Sequence, residues 1–108
     1  MVDHRQYTYR VIWSEEDGEF LALCAEFPSL SFLDPEQSAA LEGLVGLVRD
    51  VVADMAENGE VIPEPLIGKR YSGKFQVRVP PEQHRNLAIK AAEQGISLNR
   101  LISSMLSV

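Results

Sequence analysis

The segment GKFQVRVP, residues 73–80, alternates long hydrogen-bonding side chains with apolar ones. The hydrogen-bonding set is Lys74, Gln76 and Arg78, and the apolar set is Phe75, Val77 and Val79. Because successive side chains of a β-strand point to opposite faces, the alternation predicts a strand with one polar and one apolar face. Lys and Arg can donate to guanine O6 and N7, and Gln can bond adenine N6 and N7. The polar face is therefore suited to reading base edges in DNA.

Two helices are predicted directly after this strand. Pro81 suits a first helical position, and the first of the two helices runs to Gln94, where Gly95 ends it. Ser97 can cap a second helix that carries apolar residues at helical spacing, namely Leu98, Leu101, Ile102, Met105 and Leu106. The order is strand, helix, helix.

A lone strand cannot satisfy its ladder hydrogen bonds, and two short helices cannot enclose a core. Pairing the strand with its copy from a second chain meets both needs, so we expect a homodimer, with a higher oligomer left open. Its core is expected to contain Phe75, Val77, Val79, Leu87, Leu101 and Ile102. The resulting antiparallel ribbon fits the major groove of double-stranded DNA.

A second DNA contact is expected at the start of the last helix. Free amides at a helix N-terminus bind phosphate, and here hydroxyl and amide side chains accompany them. The expected DNA-binding residues are Lys74, Gln76, Arg78, Ser97, Leu98 and Asn99.

Charge divides the chain into two parts. Residues 1–67 contain three basic and fourteen acidic side chains, a formal charge of −11, whereas residues 68–108 contain seven and two, a charge of +5. The change falls in VIPEPLIG, residues 61–68, where Pro63 and Pro65 favour an extended linker. We therefore expect domains at 1–67 and 68–108. The basic domain suits a polyanion and the acidic one a basic protein.

The first domain is predicted to be α+β. Alternating residues predict a strand over 7–13, and a turn after it leads to a second predicted strand over 19–25; a short third strand is predicted over 30–33, after the break at residues 27–29. Trp13 and Phe20 are expected in the sheet core. Asp34-Pro35 predicts the start of an amphipathic helix, with Asp34 as its cap, and Asn58-Gly59 predicts its end.

Composition narrows the function class. The single cysteine, Cys24, excludes an internal disulfide and is expected to be a buried packing residue. No stretch approaches the ~18 apolar residues of a membrane span, and the N-terminus lacks the order of a signal peptide, so a cytoplasmic location without membrane contact is expected. Because no catalytic constellation or metal-ligand spacing is present, we expect no enzyme activity, metal or cofactor.

The run RVPPEQHRNLAIKAAEQGISLNRLI, residues 78–102, resembles the C-terminal domain of HicB-family antitoxins, and residues 73–105 resemble a ribbon-helix-helix (Arc/MetJ/CopG-like) DNA-binding domain. The first 67 residues are similar to the same family in their hairpin, Phe27-Pro28 segment and Asp-Pro-Glu helix start. The resemblance implies a partial RNase H-like N-terminal domain that neutralises a small HicA-like mRNA-cleaving toxin. It also implies a C-terminal domain that represses its own operon by binding operator DNA.

The sequence is also compatible with two other functions. A ribbon-helix-helix repressor without a toxin partner would use the N-terminal domain to sense a small ligand, and would need an apolar pocket there. A hydrolase would need clustered carboxylates and a divalent metal, for which Glu26 and Asp34 are the candidates.

Overall fold

The structure is a computed structural model that describes residues 2–107. These residues form an α+β protein with a three-stranded antiparallel sheet and three α-helices, as the sequence predicts in outline. The chain divides into two compact units, Met1–Tyr71 and Ser72–Val108.

The sheet of the first unit has the order β1-β2-β3, with β1 at Tyr9–Ser14, β2 at Glu19–Cys24 and β3 at Ser31–Asp34. Both neighbouring pairs are antiparallel. Gly18 closes the β1–β2 hairpin with a φ of +65°, a left-handed conformation that glycine adopts without a steric penalty. The three strands lie where the sequence predicts them, with ends that differ by at most two residues.

Helix α1, Gln37–Glu57, covers one face of this sheet. Its buried residues Ala40, Leu44 and Val48 pack with Tyr7, Ala22, Cys24 and Phe27 to form the core. The helix ends as predicted: Asn58 is its C-cap, and Gly59, at a φ of +69°, lets the amide of Glu60 reach the carbonyl of Met55 at 2.9 Å. No helix within residues 2–107 combines the length and the apolar character needed to span a bilayer.

The predicted start of α1 is two residues too early. Asp34 is the last residue of β3, and its Oδ1 accepts a hydrogen bond from the Glu36 amide at 2.9 Å. Glu36 is the N-cap and makes no side-chain capping bond. The Asp-Pro signal therefore produces a local turn between strand and helix, a use of aspartate that competes with helix capping.

Trp13 does not lie in the sheet core. Its ring stacks edge to face on Phe20, with centroids 5.1 Å apart, yet the residue remains 49% exposed. Phe20 packs partly against the core, as expected. The difference follows from position, because Trp13 is next to the last residue of β1, at the hairpin end of the sheet.

The second unit contains α2, Pro81–Glu93, and α3, Leu98–Leu106. Pro81 is at the first turn of α2. Gly95, with a φ of +68°, ends the helix by the same motif that ends α1, since the Ile96 amide donates to the Ala91 carbonyl at 3.1 Å. Ala91 and Leu101 are buried between the helices.

The predicted strand over residues 74–79 is not formed in this single chain. Residues 74–80 are neither helical nor paired as a strand. A strand is defined by its hydrogen bonds to a neighbour, and residues 72–107 contain no other strand to supply them. The predicted extended linker is also interrupted, since Leu66–Gly68 form one turn of 3-10 helix.

Two glycines of α1 test how tightly β3 packs on the helix. A Cβ on Gly43 would overlap the ring of Phe32, whereas one on Gly46 would meet no atom closer than 3.8 Å. We expect Gly43→Ala to lower the free energy of unfolding by about 1–3 kcal/mol through overpacking, and Gly46→Ala to raise it by roughly 0.5–1 kcal/mol through helix propensity. Urea unfolding of both variants measures the contrast. Equal stabilisation by the two changes would show that Phe32 moves aside freely.

Candidate functional site

Every residue from 71 to 80 is exposed, and the large apolar ones in the predicted strand are Phe75, Val77 and Val79. Phe75 is 74% exposed and Val77 is 68% exposed, values that an isolated domain rarely tolerates in neighbouring positions. The polar residues Lys74, Gln76 and Arg78 are equally accessible. Three of the six residues predicted to contact DNA and three of the six predicted for the dimer core thus lie on one solvent-exposed segment.

The apolar residues of this segment line an open groove of about 400 Å³ within the second unit. The groove walls are Phe75, Val77, Val79, Gln83, His84, Leu87, Leu98, Ile102, Met105 and Leu106. Five of the six residues expected in a dimer core are among them, and the sixth, Leu101, is buried at 3% exposure. Leu101 therefore packs α3 against its own unit.

The start of α3 is arranged as the sequence predicts. Ser97 is the N-cap, and its Oγ accepts a hydrogen bond from the Arg100 amide at 3.1 Å. The amides of Leu98 and Asn99 belong to the first turn, where a helix offers no internal acceptor. The Leu98 side chain, however, lines the apolar groove, so only its backbone is available to an anion.

The basic side chains of the 74–79 segment are uncommitted. Both ion pairs found within residues 2–107 lie in the first unit, between Arg5 and Asp3 and between Arg49 and Asp50. Lys74 and Arg78 take part in neither. Their charges are therefore not neutralised inside the chain, as binding to a polyanion requires.

Glu26 has a role in the first unit that the sequence did not reveal. Its carboxylate accepts hydrogen bonds from the Thr8 amide at 2.9 Å and from the Leu66 amide at 3.0 Å. A third bond comes from the Thr8 hydroxyl at 3.2 Å. Nearby, the Tyr7 hydroxyl donates to the Pro63 carbonyl at 2.6 Å. These bonds attach residues 63–66 to the start of β1 and to the end of β2.

The electrostatics of Glu26 follow from this arrangement. Burial raises the pKa of the Glu26 carboxyl, but the hydrogen bonds from the Leu66 and Thr8 amides lower it by a larger amount. The pKa therefore lies below its ordinary value of 4.5. The neighbouring Cys24 is buried as predicted, and burial raises the pKa of its thiol. A raised pKa keeps Cys24 protonated and unreactive at neutral pH.

The two carboxylates considered for a hydrolase are both engaged by backbone. Glu26 accepts the amides of Thr8 and Leu66, and Asp34 accepts the amide of Glu36. Within residues 2–107 no three His, Cys, Asp or Glu side chains lie close enough together to hold a metal ion. The geometry offers nothing positive for catalysis.

Some residues that line the groove were not among those predicted from the sequence for the dimer core. Met105 and Leu106 share the apolar face of α3, and that spacing was a usable signal for placing them in the groove. Gln83 and His84 carried no such signal, because polar residues at the first turn of a helix are ordinarily exposed. Glu26 was missed for a different reason, since its partners are 18 and 40 residues away in the sequence.

Replacing Glu26 should weaken the first unit in a pH-dependent way. We expect Glu26→Gln to lower the free energy of unfolding by about 1–3 kcal/mol at pH 7, since charged acceptors form the stronger hydrogen bonds. Because the folded pKa is depressed, the contribution is complete above pH 4.5 and is lost as the pH falls through the lower folded value. Urea unfolding at pH 7 and near pH 3 measures both effects.

The matched control for this change is Glu42→Gln, a carboxylate exposed on α1. It should change stability by less than about 0.5 kcal/mol at either pH. A stability difference between Glu26→Gln and the unchanged protein that is the same at both pH values would contradict a role for the ionised carboxylate.

Comparison with known proteins adds one match. The model of the HicB family matches residues 57–106, which include the end of α1, the linker, the 74–79 segment and the two C-terminal helices. No curated protein and no solved structure matches the chain. The region that matches therefore contains the groove, the polar residues of the segment and the start of α3. Over residues 57–106, slightly less than half of its length, the chain is similar to the HicB family.

Proposed function

We propose that this protein is the antitoxin of a HicA/HicB-like toxin–antitoxin system. Its N-terminal unit, with a partial RNase H-like fold, neutralises a small mRNA-cleaving toxin. Its C-terminal unit pairs with a second copy to make a ribbon-helix-helix domain that binds operator DNA and represses the operon. The HicB family, whose members are antitoxins and generally not enzymes, suggests a role of this kind.

The main support for the proposal is that residues 74–79 expose apolar side chains and basic side chains on the same segment. Phe75, Val77 and Val79 line an open apolar groove, while Lys74 and Arg78 form no ion pair among residues 2–107. A second copy of the segment supplies strand hydrogen bonds and buries the apolar set together. The same pairing presents six polar side chains, three from each chain, on the outer face of the ribbon.

DNA binding then uses two kinds of contact. Lys74, Gln76 and Arg78 reach base edges from the ribbon, whereas the first turn of α3, with Ser97 and Asn99, holds a phosphate. Base contacts set the sequence preference and phosphate contacts set the register. The positive charge of residues 68–108 favours approach to DNA from a distance.

Toxin binding is assigned to the acidic unit. An enzyme that binds RNA is expected to be basic, and the first 67 residues, at a formal charge of −11, are complementary to such a protein. The sensor alternative is less well supported. The first unit does contain an open groove of about 320 Å³, but Asp3, Gln6 and Glu64 are among its walls, so it is not the apolar pocket that a sensor would need.

Dimerisation is tested by substitutions at neighbouring positions of the 74–79 segment that face opposite sides of the predicted strand. We expect the full chain to sediment as a dimer or larger assembly at micromolar concentration, and Val77→Asp to sediment as a smaller species because a charge would be buried in the shared core. The control is Gln76→Ala, one residue away on the opposite face, which should leave the assembly intact. A monomeric wild-type protein would remove the basis of the ribbon.

Base reading is tested by anisotropy with DNA from the region upstream of the operon. Arg78→Ala should cost about 1–3 kcal/mol per base contact and relax sequence preference, whereas Asn99→Ala should weaken all sequences more evenly. Arg49→Ala, which removes the same charge from the first unit, is the control and should bind normally. Equal losses on specific and unrelated DNA with Arg78→Ala would indicate a phosphate contact instead.

The salt dependence of the DNA affinity is an independent test of binding through the basic segment. The affinity should fall steeply, by about a thousandfold or more for six to ten neutralised phosphates, as the salt concentration rises from about 50 to 200 mM. Titrations at several salt concentrations provide the slope. An affinity that does not change with salt would argue against binding through the basic segment.

A further inference from the structure

The face of the sheet opposite α1 carries a continuous apolar row. In the register of the strands, Ile12 lies opposite Leu21, and Leu21 lies opposite Leu33. Ala22 and Cys24, the buried residues of β2, face the helix, so the odd-numbered residues of β2 face away from it. One branched apolar side chain from each strand therefore stands on the outer face, and we name these three the outer row.

The outer row is not used by the core of its own unit. Ile12 and Leu33 are each 40% exposed, and neither packs against the buried cluster that α1 covers. Leu23, in the next row, extends the apolar surface between Arg10 and Ser31. Large apolar side chains that are adjacent across three strands make a contiguous patch, and such patches mark interaction surfaces.

The charges around this patch select the kind of partner. On the same face, the row beyond Ile12 and Leu21 pairs Ser14 with Glu19, and the hairpin tip that follows Ser14 contains Glu15, Glu16 and Asp17. Against this acidic end, Arg10 is the cation that shares the face. Two copies meeting here would bring units of charge −11 together, whereas a basic protein would be attracted.

We propose that the outer row is the surface on which the N-terminal unit docks a basic protein partner. Its apolar side chains form the desolvated centre of the contact, and the acidic hairpin contacts basic side chains at the rim. The inference rests on the proposed function, under which this partner is the small toxin. It adds that the toxin lies on the open sheet face and not on α1.

A matched pair of leucines tests the location. Leu33 on the outer row is 40% exposed and Leu41 on α1 is 37% exposed, so Leu33→Lys and Leu41→Lys make the same change at the same exposure on opposite sides of the unit. The probe is the product of the reading frame beside this one, which the proposed function expects to be a small basic protein; it is added to the full chain and its binding is measured by titration calorimetry. We expect Leu33→Lys to weaken binding about tenfold or more and Leu41→Lys to change it less than about twofold.

A milder variant guards against misfolding. Ile12→Thr keeps a β-branched side chain in β1 and should weaken binding severalfold, while circular dichroism verifies that each variant folds. If wild-type protein binds the probe and neither Leu33→Lys nor Ile12→Thr weakens it, the docking face is wrong although the antitoxin function stands. Loss on Leu41→Lys alone would move the contact to α1 and overturn the inference.

Two further outcomes are decisive. If the wild-type protein does not bind the probe at all, the toxin-binding part of the proposed function fails, and the docking face fails with it. If Leu33→Lys reduces the size of the assembly in sedimentation but leaves probe binding unchanged, the occupant of the face is a second copy of the chain. That result would also overturn the inference.

Discussion

Strand backbone groups and apolar side chains both need partners, and residues 74–79 have no strand partner among the residues that the structure describes. Phe75, Val77 and Val79 remain exposed beside an open apolar groove, and no neighbouring strand occurs among residues 72–107. With Ala91 and Leu101 at its centre, the second unit has little apolar surface buried. Association with a second copy stabilises such a unit in proportion to the surface removed from water. The DNA-binding proposal depends on this association, because it is what would place the polar side chains on a common face.

The first unit is organised around different interactions. A helix of 21 residues packs on a three-stranded sheet through Ala22, Leu44 and Val48, and the ring of Phe32 occupies the space that Gly43 leaves free. Glu26 and Tyr7 then bind the segment that follows α1. One face of the sheet is thereby filled, and the opposite face keeps the outer row exposed. A sheet that buries one apolar face and exposes the other can bind a partner through the exposed face.

Charge separates the tasks of the two parts. The acidic side chains lie mostly in the first 67 residues and the uncommitted basic ones after them. Under the proposed function, the acidic part attracts a basic toxin and the basic part attracts DNA, so neither partner competes for the surface of the other. The Glu26 carboxylate, whose pKa is depressed by backbone amides, remains ionised at neutral pH and keeps the segment before the basic part attached to β1.

Local signals in the sequence determined much of the fold. Alternation located the first strand, and the turn and break residues around the other two located them. Glycine located the ends of α1 and α2, because a left-handed residue closes a helix regardless of its surroundings. The hydroxyl of Ser97 located the start of α3 in the same way. Asp34 failed as a helix signal, since its carboxylate bonds an amide two residues later in a turn. A short polar side chain has several local uses, and the strand before it decided among them.

Only the tertiary structure decided the rest. The exposure of Trp13, the burial of Leu101 and the attachment of Leu66 by Glu26 depend on contacts between residues distant in the chain. The sequence determined that residues 74–79 alternate, with apolar and polar side chains in turn; it did not determine a strand within one chain, because strand hydrogen bonds come from a neighbour. Periodicity and caps act over a few residues, whereas burial and pairing depend on what the fold brings alongside.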